Sequence, residues 1–302
     1  MALQSSGQIS ISDIKTELGS SSGSLTTLST TAGKSAPHGM TEFYGYSNEP
    51  EYTNTRYYQN DGTGDYINCT TSTSPFSINT TQDLSFSMWV RHTGGKQNQL
   101  VWNFGNTNSN GNNRIFLTYS ANLNRFIARV RTNSVNFDRQ WGLHDNTSAT
   151  GISSSSSGWS STSRGTVNSD NWCMLTVTYD ASQTNAGNAF KAYWNSGELT
   201  NQAIANSGTR TAINSTKGRI GENIHLTDSA GNATLDYDEI KIYNKVLTSS
   251  EVSTLYNSGS QADSSQTVSS GLITEWTFDN NNANDSNSKY TCSIVNGNIA
   301  SY

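Results

Sequence analysis

Leu84-Ser85-Phe86-Ser87-Met88-Trp89-Val90 alternates apolar and polar residues with a period close to two, as a strand with one buried face does. Comparable runs lie on either side of it. Tyr57-Tyr58-Gln59-Asn60-Asp61-Gly62 ends in a hairpin-type Asp-Gly turn. Further strand-like runs follow at 99–104, 114–119, 125–131, 172–179, 189–194 and 219–220, separated by Gly, Asn and Ser. Short runs with polar turns between them predict a mainly β chain folded as an antiparallel two-sheet sandwich. The stretch 131–169, with serine at every position from 153 to 157, is too long for a plain connector. It reads as a surface excursion, either a decorated loop or an extra hairpin.

Composition narrows the function. Of 302 residues, 32% are apolar and 14% charged, while seven Trp and fourteen Tyr supply β-forming aromatics. With a net charge of −5 and no basic run, nucleic-acid binding by phosphate neutralisation is not expected. No stretch approaches the roughly 20 apolar residues of a membrane span. The opening Met1-Ala2-Leu3-Gln4-Ser5-Ser6-Gly7 has neither the basic start nor the apolar core of a secretory signal. This reading makes the chain in a cytoplasm, from which it leaves only within a larger assembly. Cys69, Cys173 and Cys292 are widely spaced, odd in number and without C-x-x-C spacing, so three small buried thiols are expected.

Residues 1–47 read as a separate module. Ser10 offers an N-cap for a short helix carrying Ile11, Ile14 and Leu18 and stopped by Gly19. A second helix would carry Leu25 and Leu28, and the aromatic cluster of Met40, Phe43, Tyr44 and Tyr46 follows. So few apolar residues bury little surface, so the module is expected to need a partner surface. Ile11, Ile14, Leu18, Met40, Phe43, Tyr44 and Tyr46 are the expected assembly contacts. The ordered pattern Ile9-Ser10-Ile11-Ser12-Asp13-Ile14, Glu17-Leu18-Gly19, Leu25, Leu28-Ser29 and Met40-Thr41-Glu42-Phe43-Tyr44-Gly45 resembles an N-terminal module of tailed-bacteriophage structural proteins. That resemblance implies a virion protein, made in the host bacterial cytoplasm and anchored through this module to other capsid or tail proteins.

A second resemblance rests on the closing segment. Leu235-Asp236-Tyr237-Asp238-Glu239-Ile240-Lys241-Ile242-Tyr243-Asn244 reads as a strand. A helix follows, with Thr248 and Glu251 as a capping box, Val252, Leu255 and Tyr256 on one face, and Gly259 as its stop. Together with 86–90, 172–180, 193–197 and 218–221, this order is similar to laminin-G-like, concanavalin A-like domains over residues 52–259. It departs from many relatives at Asn195-Ser196-Gly197, where they carry Asn-Gly. The resemblance implies a jelly-roll sandwich, and a Ca2+ site at a sandwich loop edge whose ligands no spacing singles out; no cofactor is otherwise required. After a Ser/Gln-rich linker, residues 260–302 hold Gly271-Leu272-Ile273-Thr274-Glu275-Trp276. The tail is too short for a second sandwich, so it completes the first one or pairs with a neighbour.

Catalytic signatures are missing. The four histidines are scattered, and no G-x-S-x-G or H-E-x-x-H occurs. Asp236-Tyr237-Asp238-Glu239 is the nearest approach to the paired carboxylates of a glycosidase, and it does not match the Glu-x-Asp-x-x-Glu strand of related glucanases. The chain is therefore not expected to be an enzyme. Sugar recognition needs aromatic faces beside amides and carboxylates, and Trp141, His144, Asp145 and Trp159 in the long excursion are the expected glycan contacts. Trp102 and Tyr119 are placed near sheet edges. The reading is a phage virion protein that displays a lectin-like sandwich, for surface decoration or attachment to a host-surface glycan. A stand-alone bacterial carbohydrate-binding adhesin is the alternative, and a polysaccharide hydrolase on the same scaffold is a weaker one. Homo-oligomerisation is compatible with this reading, although no heptad repeat specifies it.

Overall fold

The computed structural model describes residues 3–4, 6–46, 55–60, 62–70, 78–92, 98–106, 113–120, 125–132, 135–142, 172–199, 202–205, 212–222, 233–256, 268–283 and 290–301. It comprises two compact units, one within residues 1–53 and one drawn from 54–261 and 268–302.

In the first unit, α1 (Ile11–Leu18) begins at Ser10, whose side chain accepts from the Asp13 N–H while Asp13 accepts from the Ser10 N–H. Gly19 ends it at φ 59°, a left-handed conformation that costs glycine little. α2 (Leu25–Thr31) starts at Ser24 and is followed by a 3-10 turn, Met40–Phe43. Ile14, Leu18, Leu28 and Phe43 bury themselves against one another. The expectation for Ile14, Leu18 and Phe43 is thereby corrected. They form the module's own core rather than an assembly surface, because the apolar stripes of the short helices find partners within the unit. Ile11, Met40 and Tyr46 are only partly buried around that core, and Tyr44 is exposed.

The second unit is the sandwich. Its strands run β1 (Arg56–Gln59), β2 (Tyr66–Thr70), β3 (Leu84–His92), β4 (Asn98–Gly105), β5 (Arg114–Ser120), β6 (Arg125–Thr132), β7 (Val135–Gly142) and β8 (Cys173–Tyr179). After α3 (Ala186–Ala189) come β9 (Phe190–Trp194), β10 (Gly197–Glu198), β11 (Gln202–Ala205), β12 (Lys217–Ile220) and β13 (Leu235–Tyr243). Then follow α4 (Ser249–Tyr256), β14 (Leu272–Trp276), β15 (Thr291–Val295) and β16 (Asn298–Ser301). The first sheet has the order β10-β9-β8-β3-β13-β1-β16, with β14 also on β13. The second has the order β11-β7-β6-β5-β4-β12-β2-β15. Each strand pairing is antiparallel.

Alternation decides which side chains meet between the sheets. Phe86, Met88 and Val90 of β3 point inward with Tyr237 of β13, and they meet Trp102, Phe104, Leu117 and Val130 of the second sheet. Phe86 stacks on Trp102 with ring centroids 4.0 Å apart, so Trp102 lies in the core, and Tyr119 is likewise fully buried. At β12, Gly218 faces the Phe104 ring so closely that an added Cβ would lie 2.3 Å from it. The outward residues of the first sheet form a second apolar layer. Trp89, Met174, Tyr193 and Tyr243 pack with Leu247 and Val252, and Trp89 stacks on Tyr256 at 5.8 Å. The predicted capping box holds α4 in place: the Thr248 N–H donates to Glu251 at 2.9 Å, and the Glu251 N–H donates to Thr248 at 3.2 Å.

The tail folds in cis: β14 pairs with β13, β15 with β2 and β16 with β1. Cys69 and Cys292 lie opposite each other on β2 and β15 and are joined in a disulfide. The expected set of three thiols is corrected, because the tail's register brings two distant cysteines face to face; Cys173 is buried and outside the disulfide. The first part of the long excursion is β7, hairpinned to β6. Among the described residues no helix is long and apolar enough to cross a membrane.

Candidate functional site

The outward face of the second sheet carries polar and aromatic side chains in register. One row crosses the strands as Ser293, Asn68, Arg219, Asn103, Phe116, Arg129 and Asp138. Inward residues of the same strands, such as Ile67, Ile220, Trp102, Leu117, Ala128 and Phe137, hold the core, so period-two geometry obliges this row to face away from it. Gln140 stands in the next outward position of β7.

Two arginine–aromatic groups mark the row. The Arg114 guanidinium lies 4.3 Å from the Phe116 ring centre, with that of Arg129 at 5.7 Å. The Arg219 guanidinium lies 4.2 Å over Tyr66 and donates to Glu222 at 2.5 Å. Burial raises the Glu222 carboxyl above the usual range, with Arg219 pulling the other way. Asp138 accepts from Arg129 and from the Gln140 amide, both at 3.3 Å. Gln140 is only 5% exposed, yet its Oε1, like Arg129 Nε, has no hydrogen-bond partner among the described residues. A buried acceptor left unsatisfied costs about 1–3 kcal/mol. A donor from outside, such as a hydroxyl, would relieve it.

The expected glycan contacts fall elsewhere. Trp141 is corrected: it is fully buried on the inward face of β7, beneath Arg139 at 5.5 Å. Arg139 in turn donates to the carbonyls of Gly187 and Phe190. Phe137 and Trp141 alternate inward, and a ring in that position packs against the core rather than meeting a sugar. His144, Asp145 and Trp159 lie outside the described residues. The outward row was missed because Asn, Arg and Asp on a strand face read as ordinary solvated polarity; only strand pairing brings them together.

The carboxylates considered for hydrolysis belong to the other sheet. Asp236 is fully buried and accepts two hydrogen bonds from Arg91, at 3.0 and 2.7 Å, and one from the Asn60 N–H at 3.2 Å. Burial raises its pKa, an effect opposed by Arg91. Arg91 is wedged between the rings of Tyr57 and Trp172, at 4.7 and 4.8 Å. A bulge in β13 places Glu239 at φ 48°, where it pairs with Lys241, and Lys241 also reaches Glu275 at 2.9 Å. Burial works against the Lys241 charge, but the two carboxylates outweigh it and raise the pKa, so the ammonium stays charged. Asp236 and Glu239 are engaged in ion pairs within the sheet. Among the described residues no cluster of three or more His, Cys, Asp or Glu could hold a metal ion.

No family model matches the chain, and no curated protein does by sequence. Some solved structures align with the chain at low sequence identity. One is a putative carbohydrate binding protein from Bacteroides ovatus, 10% identical, with 82% of this chain covering 59% of that one at a TM-score of 0.48. Another is a heptameric SAP-like pentraxin from Limulus polyphemus, 11% identical, with 82% of this chain covering 94% of that one at 0.47. A third is the CBM40 module of a Ruminococcus gnavus IT-sialidase bound to α2,3-sialyllactose, 12% identical, with 58% covering 83% at 0.38.

Proposed function

We propose that this chain is a non-catalytic, carbohydrate-binding protein of lectin type, and that it binds saccharide on the outward face of the second sheet. The observation that carries the reading is the buried Gln140 Oε1, without a hydrogen-bond partner among the described residues, one outward position along β7 from Asp138, which lies opposite Arg129. Aromatic faces take the apolar side of a sugar ring, while amides and guanidinium groups hydrogen-bond its hydroxyls. The engaged state of Asp236 and Glu239 supports a binding role rather than hydrolysis. A glycan array probed with the full chain tests the reading. At least one saccharide is expected to bind, and binding is expected to weaken in Tyr66→Ala and Gln140→Leu variants whose circular dichroism is unchanged. Binding that survives both changes would move the site off this face, and the absence of any bound saccharide would end the reading.

Display on a phage particle is the finer form of this proposal, in which residues 1–47 attach the sandwich to virion proteins. It is supported by the sequence pattern of the module and by the exposed Tyr44. Deleting residues 1–47 is expected to abolish incorporation into particles and leave saccharide binding intact. Incorporation of the truncated chain would refute the anchoring role. A bacterial adhesin without a particle is the competing form; cryo-electron microscopy of purified particles separates the two, according to whether the chain is on them.

A further inference from the structure

The C-terminal hairpin is held to the sandwich differently from the strands around it. β15 is the last strand of the second sheet and β16 the last of the first, so each has a strand neighbour on one side among the described residues. Asn296, at φ 56°, and Gly297 make the turn between them. One short segment thus closes an edge of each sheet, with β15 along Tyr66–Thr70 and β16 along Arg56–Gln59. Its apolar grip is small. From Cys292 to Ser301, Cys292 alone is buried; Ile294 and Ile299 are half-covered against the core, and Ala300 against the outer apolar layer. Polar ties include the one-sided ladder and the Asn296 amide, which donates to the Gly64 carbonyl at 3.2 Å. Burial on this scale offsets little of the entropy lost in ordering the segment. The Cys69–Cys292 disulfide makes up the difference. It joins residues 223 apart in sequence across the β2–β15 pair, and a tie over so long a loop strongly restricts the opened chain. By contrast, β3, β8 and β13 have neighbours on both sides and carry the core, so they do not depend on the tie.

We propose that the Cys69–Cys292 disulfide is a redox-controlled latch on the terminal hairpin. Closed, it keeps β15 and β16 docked. Open, it lets them leave while the rest of the sandwich stays folded, baring the edges of β1 and β2 together. Opening takes two electrons and two protons from a dithiol: the Cys69–Cys292 S–S bond breaks, two thiols form, and the dithiol closes into its own disulfide. Closing is the reverse exchange, with a small disulfide as oxidant. A reducing cytoplasm holds the latch open and an oxidising medium shuts it. Because an open sheet edge pairs readily with another strand, the latch sets when those two edges are available. Both cysteines are buried, at 0% and 7% exposure, so a reductant reaches the bond when the hairpin lifts. Hydrogen exchange read by mass spectrometry compares the full chain oxidised, reduced with dithiothreitol, and as the Cys69→Ala/Cys292→Ala variant. Denatured, the oxidised chain is expected to give one titratable thiol, that of Cys173, and the reduced chain three. Reduction and the double substitution are each expected to raise exchange across 291–301 about thirtyfold, the lower end of a disulfide's usual contribution. Exchange in β3, β8 and β13 is expected to stay within about twofold. Should the double variant not fold, the reduced native chain decides. Ile299→Ala, which keeps both cysteines, is expected to speed reduction of the oxidised chain about fivefold, the scale of trimming a half-covered aliphatic side chain. Three thiols in the air-oxidised chain, or a rise under about tenfold across 291–301 on reduction, overturns the latch. An equal rise in β3, β8 and β13 overturns it too, making the disulfide a brace of the whole sandwich. A reduction rate unchanged by Ile299→Ala overturns the hairpin's control of access to the bond.

Discussion

Replacing Arg91 by leucine tests whether the buried carboxylate of Asp236 is held by the fold. The substitution removes two hydrogen bonds to a carboxylate with no solvent exposure, leaving the Asn60 N–H as its remaining donor among the contacts described above. It also removes a cation from between Tyr57 and Trp172. Breaking a buried pair by removing one partner costs about 3–5 kcal/mol, and the cation–ring contacts add about 0.5–2 kcal/mol. The Arg91 side chain is 23% exposed and leucine restores some packing, so the lower end applies: about 3 kcal/mol. With a slope of about 3 kcal/mol per M, the urea midpoint should fall by about 1 M. The loss is also pH-dependent. Burial holds the folded pKa of Asp236 above its ordinary value, so ionisation favours unfolding, and stability declines as pH rises through the folded value. Without Arg91 that value rises further. The variant's deficit therefore opens as pH climbs through the wild-type folded pKa and levels off above the variant's own. Urea titrations of both proteins at about pH 4 and about pH 7 measure it. A deficit under about 1 kcal/mol at both pH values would refute the reasoning.

Three further outcomes follow from the packing. Trp141→Ala is expected to cost about 3–5 kcal/mol of sandwich stability and to leave saccharide selectivity unchanged in the folded fraction; calorimetry and a glycan array together check this. Phe43→Ala is expected to melt the first unit, lowering helical ellipticity, while the sandwich's near-ultraviolet signal and denaturation midpoint stay within error. Glu251 is held below the usual carboxylate range by Lys245 and by the Thr248 N–H. Its stabilisation of α4 is therefore full above the ordinary Glu pKa of about 4.3 and fades as pH falls through the lowered folded value. Hydrogen exchange across α4 should show this loss in the native chain and not in Glu251→Gln.

Period-two alternation was enough to read β3, since Phe86, Met88 and Val90 face one way, although Trp89 breaks the pattern by packing under α4 on the other face. The helix ends were legible for a local reason: Ser10 with Asp13, and Thr248 with Glu251, satisfy backbone donors within a few residues. Trp141 was misread because Asp138, Arg139 and Gln140 interrupt its apolar neighbours. Arg139 points inward to cap carbonyls near α3, a use of arginine that hydropathy does not reveal. The Cys69–Cys292 pairing depends on register between strands distant in sequence. Composition says nothing about register. The front module's core was hidden by its small size, since only four of its apolar side chains, Ile14, Leu18, Leu28 and Phe43, are buried, and which of them meet is set by packing between the helices.

The most direct test of the account is the position of a bound saccharide in a crystal of the full chain grown with its best array ligand. The account predicts the sugar on the outward face of the second sheet, within hydrogen-bonding distance of Gln140 Oε1. A sugar seated on the first sheet, or at the loops away from β5, β6 and β7, would contradict it.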